Sequence, residues 1–249
     1  MYPDARLPLP TGSLACGEGR AGGEGSVMRP RILDLFCGAG GCAVGYHRAG
    51  FEVVGVDIVP QPRYPFTFHQ GDALAFCREH GHEFDAIHAS PPCQAYSVAN
   101  HIHQRGDHPD LVAATREAVQ GTGLLYIIEN VPGAPLLNPT LICGLALGLN
   151  VKRHRLFESN VLLFGTKCGN HKGDWLVVFG GSPRRRCHVS GRAKGGGPVC
   201  LRKKAPIEEG RAAMGIDWMN GKELSQAIPP AYTEYLGRQL MTVIERRAA

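Results

Sequence analysis

The chain has 249 residues, 43% of them hydrophobic, and a formal charge of +5, enough for one α/β domain with a smaller appended region. No stretch approaches the roughly 20 apolar residues of a membrane span, and the amino terminus lacks the basic-then-apolar pattern of a secretory signal, so a soluble cytoplasmic protein off the membrane is expected. Nine cysteines without a paired framework point to free thiols in a reducing compartment.

Residues 1–29 are rich in Gly, Pro and Ala without apolar periodicity and are expected to be a disordered leader, with Met28 an alternative start. Order is expected from Arg31. Arg31-Ile-Leu-Asp-Leu-Phe36 is a short apolar run ending in Cys37-Gly-Ala-Gly-Gly41, followed by a helical stretch to Ala49 and a second apolar run, Phe51 to Val56, closed by Asp57. Strand, glycine turn, helix, strand and acid make one βαβ unit of a doubly wound, mostly parallel sheet. Asp85 to His88 continues it as a strand leading into Ser90-Pro-Pro-Cys-Gln94. Asp110 to Gln120 reads as a helix, and Leu124 to Ile128 as a strand ending in Glu129-Asn130. Strands apolar on both faces belong to a parallel sheet covered by helices. Beyond Phe157 the regularity fails: Lys167 to Pro206 is Gly-rich and basic, and only Trp175 to Phe179 resembles a strand. Helix returns at Glu208, and a terminal helix is expected over Tyr232 to Arg246 after Pro229-Pro230. No internal repeat is visible.

The charge is unevenly placed. Thirteen Lys and Arg residues lie between Lys152 and Lys204, opposed only by Glu158 and Asp174. A basic block in an otherwise near-neutral chain suits a polyanion, though a solvated loop would have the same composition.

The chemistry-bearing residues fall just past strand ends, where such sheets bind ligands. In the turn Phe36-Cys-Gly-Ala-Gly40, glycines let backbone N–H groups approach a ligand at a helix amino end; a tight turn with no ligand is the alternative. Asp57 is placed to accept from ribose hydroxyls, and Asp72 to meet an adenine amino group. In Pro91-Pro92-Cys93-Gln94 two prolines stiffen the loop that holds the thiol, and a nearby arginine or helix end is expected to lower its pKa. Cys77 and Cys143, by contrast, read as small buried cysteines. Glu129, on the strand expected beside that of Cys93, is either a desolvated acid toward a ring nitrogen or an ordinary strand-end carboxylate. Arg153 and Arg155 share one side of a strand and suit a carbonyl oxygen and a phosphate, or surface ion pairs. Cys168-x-x-His171 has metal-ligand spacing, but Cys187, His188 and Cys200 supply no clean second pair, so no metal is assigned. His101, His103 and His108 read as solvated loop histidines.

These segments, in this order, resemble the DNA cytosine-C5 methyltransferase family, most closely its compact phage-type members. Asp34-Leu-Phe-Cys-Gly-Ala-Gly-Gly41 is similar to that family's AdoMet motif, Pro91-Pro-Cys-Gln94 to its nucleophile motif, Glu129-Asn-Val131 to its base-binding motif and Arg153-His-Arg155 to its paired-arginine motif. Gln226-Ala-Ile-Pro229 resembles the segment that returns to complete the cofactor pocket. Gln226 stands where the family usually has asparagine, and Val151 where the arginine motif usually begins with glutamine. The resemblance implies S-adenosyl-L-methionine (AdoMet) held by Phe36, Gly38, Gly40, Asp57, Asp72, Pro91, Gln226 and Ala227, and catalysis by Cys93, Glu129, Arg155 and Arg153. Contacts to flipped cytosine in double-stranded DNA are expected from Pro92, Gln94, Ser97, Asn130, Arg184 and Arg185. It also implies a leader at 1–29, a Rossmann-like catalytic domain at 30–157, a reduced target-recognition region at 158–207 and returning helices at 208–249, in a monomer. Three other readings stay open. One is a tRNA substrate, although the Cys-Phe-Thr insert of that branch is missing. The second is a carboxylated AdoMet paired with Arg63 or a loop histidine, and the third an AdoMet-sensing DNA-binding protein without turnover.

Overall fold

The computed structural model describes residues 28–93, 110–169, 171, 173–185, 204–248 and, for the backbone alone, 190–192 and 198–200. Gln94, Ser97, the histidines 101, 103 and 108, and the pair Cys187 and His188 lie outside these residues, as does the leader up to residue 27.

Seven strands form one sheet: β1 (Arg31–Leu35), β2 (Glu52–Asp57), β3 (Thr67–Gln70), β4 (Ala86–Ala89), β5 (Leu125–Asn130), β6 (Thr140–Cys143) and β7 (His154–Ser159). Their order is β3-β2-β1-β4-β5-β7-β6. Pairings from β3 through β5 are parallel, and β7 runs antiparallel to both β5 and β6. Strand order reverses between β1 and β4, which opens a crevice at their carboxyl ends.

Alternation along the central strands explains why both faces are covered. Ile32 and Ile127 join Tyr46, Phe51, Phe157, Tyr232 and Leu236 on one face. Their neighbours Leu33 and Ile128 join Leu35, Val56, Ile87 and Val119 on the other. Each fully buried side chain of this size contributes roughly 1.5–3 kcal/mol. Helices α1 (Gly41–Arg48) and α6 (Pro230–Ala248) cover the first face, with α2 (Ala73–His80) and α3 (Val112–Gly121) on the second. α1 and α6 touch closely because Gly45 has no side chain: a Cβ there would strike the Thr233 hydroxyl and the Pro230 carbonyl. Thr233 Oγ1 in turn donates to the Cys42 carbonyl at 2.8 Å.

A smaller unit follows β7. The hairpin β8 (Leu176–Phe179) and β9 (Ser182–Arg185) packs Leu176 and Val178 against α4 (Ile207–Met214) and α5 (Gly221–Gln226) through Met214, Ile216, Met219 and Leu224. A second hairpin pairs β10 (Ser190–Arg192) with β11 (Pro198–Cys200).

Several boundaries differ from the sequence expectation. β7 runs on to Ser159, two residues beyond the expected break after Phe157, because Glu158 and Ser159 continue the antiparallel pairing with Ile128 and Ile127 of β5. α6 starts on Pro230 itself, since a first-turn proline needs no donor. The short strands β3 and β6 were not expected from pattern. Among the described residues, no helix is long and apolar enough to cross a membrane.

Candidate functional site

β1 ends in a turn that only an unusual backbone can make. Phe36, Gly38 and Gly40 all have positive φ, 57°, 48° and 84°, which glycine adopts freely and phenylalanine does not. The strained Phe36 throws its ring toward the crevice, and α1 starts at Gly41 directly behind the turn. Asp57, ending the adjacent β2, braces it. One carboxylate oxygen accepts from the Gly38 N–H at 3.0 Å and the other from the Val59 N–H at 2.9 Å. Trp218, which the sequence reading missed, fastens the turn from the far end of the chain by donating from Nε1 to the Ala39 carbonyl at 2.8 Å.

Cys93 follows the end of β4. Its loop is held by Asn130, whose side-chain nitrogen donates to the Pro91 carbonyl at 3.0 Å. β5 pairs in register beside β4 and brings Glu129 to the same crevice. Arg155 of β7, cross-strand from β5, puts Nε 3.0 Å from Glu129 Oε1 as an ion pair angled short of a hydrogen bond.

One cavity of about 660 Å³ joins these groups, a size suited to a nucleoside-sized ligand with room for a second group. Phe36, Gly38, Asp57, Pro91, Pro92, Cys93, Glu129, Arg155, Gln226 and Ala227 line it, as the sequence anticipated. Gly40, Asp72, Asn130, Arg153, Arg184 and Arg185 do not. Asp72 caps α2, accepting from the Ala75 N–H at 2.8 Å. Asn130 holds the Pro91-Pro92-Cys93 loop. Arg153 is buried and spends its donors on two main-chain carbonyls, Val178 at 2.9 Å and Ser225 at 2.9 Å. Arg184 stacks over Phe179 with 5.4 Å to the ring centre, and Arg185 pairs with Glu209 at 2.6 Å. Arg63 does not line the cavity and pairs with Glu223 at 2.7 Å; the cations in the wall are Arg155 and Lys222. Of the basic block, Arg153, Arg155, Arg184 and Arg185 are therefore engaged within the protein. Ile58 and Val59, exposed apolar residues at the rim, carried no sequence signal beyond following Asp57.

Electrostatics differ from expectation at the thiol. Burial raises Cys93 above the ordinary thiol range; Arg155 opposes this and Glu129 adds to it. The arginine is present as expected, but desolvation outweighs it because the loop packs against the sheet end. Burial likewise raises Glu129, against Arg155 and the Ser90 hydroxyl. Asp34, also in the cavity wall, is pushed up to about 8, by burial first.

Behind Glu129 lies a polar chain the sequence did not reveal. The Tyr46 hydroxyl is 2.9 Å from His88 Nδ1, and His88 Nε2 is 2.9 Å from Ser90 Oγ. Burial lowers His88 to about 3, so the imidazole is neutral. With Tyr46 donating to Nδ1, Nε2–H donates to Ser90, whose own proton is left for the Glu129 carboxylate.

The cavity suits AdoMet on its donor set. Asp34 has one buried oxygen without a hydrogen-bond partner, which a polar guest in this wall would satisfy, and Asp57 adds acceptor oxygens to the same wall. The segment Gln226–Ile228 closes the wall against Gly41, where a Cβ would collide with the Ile228 carbonyl.

Comparison with known proteins agrees with this geometry. The family model for C-5 cytosine-specific DNA methylases matches residues 30–138. A stretch of 73 residues, 27% of the chain, is 34% identical to the type II methyltransferase M.AplI of Arthrospira platensis and spans only 21% of that protein's length. Among solved structures, the fold resembles a candidate DNA modification methyltransferase encoded within an E. coli prophage, with TM-score 0.57, 14% identity and coverage of 87% of this chain and 99% of that one. It also resembles the S. pombe Dnmt2 methyltransferase, with TM-score 0.54, 11% identity and coverage of 89% and 100%. The sheet is thus the mostly parallel, Rossmann-like one of methyltransferases.

Proposed function

We propose, from the match of residues 30–138 to the family model for C-5 cytosine-specific DNA methylases, that this chain methylates C5 of cytosine in double-stranded DNA. The observation that carries the reading is that Cys93, Glu129 and Arg155 line the same cavity as the glycine turn and Asp57. Nucleophile, acid and donor site are within reach of one bound base.

AdoMet, when bound, supplies an electrophilic methyl group. Phe36, Ile58 and Val59 would offer apolar surface for its base, Asp57 would offer lone pairs to ribose hydroxyls, and Asp34 would supply a further polar group in the same wall.

Cytosine C5 is too poor a nucleophile to react alone, so the protein must add electron density to the ring. The cytosine turns out of the duplex at a cost of a few kcal/mol. The Cys93 sulfur bonds to C6, Glu129 donates to N3 and accepts from the amino group, and Arg155 steadies O2. With the Cys93 proton lost to solvent, the C6 addition makes C5 nucleophilic, and C5 takes the methyl group as its bond to the donor sulfur breaks, the bonding pair staying on that sulfur as a neutral thioether. Loss of the C5 proton then expels the Cys93 thiolate and restores the ring. The raised Glu129 fits a proton donor near neutrality.

A duplex carrying 5-fluorocytosine tests this directly, because fluorine blocks loss from C5. Incubation with protein and AdoMet should give an adduct by intact mass, absent from Cys93→Ser. Full turnover on ordinary duplex by Cys93→Ala would overturn the mechanism, and an adduct with tRNA but not duplex would overturn the choice of DNA.

A further inference from the structure

On the opposite side of β7 from Arg155, four soft donors converge. Cys143 ends β6 and His154 begins β7, and the two are direct cross-strand partners in the antiparallel pair, so their side chains share one face. Cys168 and His171 come from the segment after β7. Their ligand atoms all lie within 4.8 Å of one another. Cys143 Sγ is 3.3 Å from His171 Nε2, His154 Nε2 is 3.3 Å from His171 Nε2, and Cys168 Sγ is 3.3 Å from His154 Nε2 and 3.1 Å from His171 Nε2.

Hydrogen bonding does not explain this arrangement. The Nε2 of a neutral imidazole offers either one N–H or one lone pair, yet that of His171 has two sulfurs and a second imidazole nitrogen around it. A shared central cation does explain it. Tetrahedral zinc with bonds of ~2.3 Å to sulfur and ~2.05 Å to nitrogen separates two nitrogens by about 3.3 Å and nitrogen from sulfur by about 3.6 Å. These four spacings fall within about half an ångström of those edges.

We propose that Cys143, His154, Cys168 and His171 form a structural zinc site. Both thiols lose their protons to the solvent on binding, so two thiolates balance the dication and the site is neutral. Four protein ligands leave no open coordination position, which makes the ion a staple and not a Lewis acid for the reaction. Its place in the chain says what it holds. The Cys143 N–H donates to Thr166 Oγ1 at 2.9 Å and the Thr166 N–H to the Leu141 carbonyl at 3.1 Å, laying the segment along the outer edge of β6. The His171 carbonyl accepts from Trp175 Nε1 at 3.2 Å, and β8 begins at the next residue. The metal therefore anchors the root of the β8–β9 unit to the strand that carries Arg155. The Cys168-x-x-His171 pair is completed by Cys143 and His154. The inference stands apart from the proposed reaction.

The test uses the full chain purified without added chelator. Elemental analysis should find one zinc per chain, and cobalt substitution should give thiolate-to-cobalt charge-transfer absorption with tetrahedral visible bands. Cys168 is exposed, so Cys168→Ser removes a ligand without opening the core; it should retain the fold by circular dichroism and bind zinc roughly 100-fold more weakly or worse. A chelator should lower the wild-type melting temperature and zinc should restore it. Folded wild-type protein with under a tenth of a zinc per chain after reconstitution would overturn the site. So would unchanged zinc content in Cys168→Ser, or a Cys143–Cys168 disulfide in non-reduced peptide maps.

Discussion

Substituting Gly41→Ala asks whether the carboxyl-terminal return truly forms a wall of the cavity. A Cβ at residue 41 would lie well inside 3.0 Å of the Ile228 carbonyl oxygen, 3.3 Å from the Ile228 nitrogen and 3.4 Å from Ala227 Cβ. The obstruction is main chain, so no rotamer change relieves it. The Gln226–Ile228 segment must back away from α1, and Ala227 and Gln226 move with it out of the cavity wall. Overpacking of this kind costs about 1–3 kcal/mol, shared between folding and cofactor binding. For a chain of this length each kcal/mol lowers the melting temperature by about 2–4 °C, so a fall of roughly 2–12 °C is expected. Each 1.4 kcal/mol falling on the bound state weakens AdoMet about tenfold. Differential scanning fluorimetry and calorimetric titration with AdoMet read the two parts. Gly121→Ala is the control, since a Cβ there meets nothing within 4 Å, and it should leave both values in place. Wild-type melting and wild-type AdoMet affinity in Gly41→Ala would refute the assignment of residues 226–228 to the pocket wall.

Four further outcomes are expected. Because burial holds the Cys93 thiol up, its alkylation by iodoacetamide in the free protein should accelerate about tenfold per pH unit from pH 7 through 9; a plateau by pH 7 would contradict the buried thiol. Ser90→Ala removes a contact that favours the charged Glu129, so the alkaline limb of the kcat profile should move to higher pH, whereas a purely structural role would lower activity without moving it. Glu158 is buried and takes both nitrogens of Arg116, at 2.7 and 2.8 Å, and the Leu137 N–H at 2.8 Å. Glu158→Ala should therefore cost about 3–5 kcal/mol in urea denaturation, and a loss under 1 kcal/mol would show the network to be dispensable. Finally, Asp34 is raised from 3.8 to about 8. Its protonated form favours the fold below pH 3.8, and that contribution is lost as pH rises through 8. Asp34→Asn should thus gain stability relative to wild type between pH 5 and 8.5, and a pH-independent difference would be inconsistent with a buried, proton-holding carboxyl.

The central strands were readable because burial on both faces makes them continuously apolar, as in Leu125 to Ile128, and because strand ends in such sheets are where polar residues face ligands. Cys93, Glu129 and Asp57 were legible for that reason. Exposed strands without periodicity, such as Thr67–Gln70, left no such trace. What sequence spacing could not supply was side-chain direction and competition. Arg153 and Arg155 share a face, yet one is consumed by main-chain carbonyls and the other meets Glu129. Asp72 follows a glycine at a strand end as a ligand-binding acid would, but the first turn of α2 claims it. Cys143 and His154 are eleven residues apart, and only the antiparallel register of β6 and β7 makes them neighbours.

Arg153 ties the β8–β9 unit to the catalytic strand by gripping carbonyl oxygens of residues 178 and 225. A carbonyl is the same in every amino acid. The joint is thus indifferent to which side chains the hairpin displays, and those side chains are free to drift, or be exchanged by design, while the frame beneath them keeps its alignment. Under the proposed function, a library varying the outward positions of the hairpin, with Arg153 and the strand pairing retained, would test whether the hairpin carries any preference among DNA sequences.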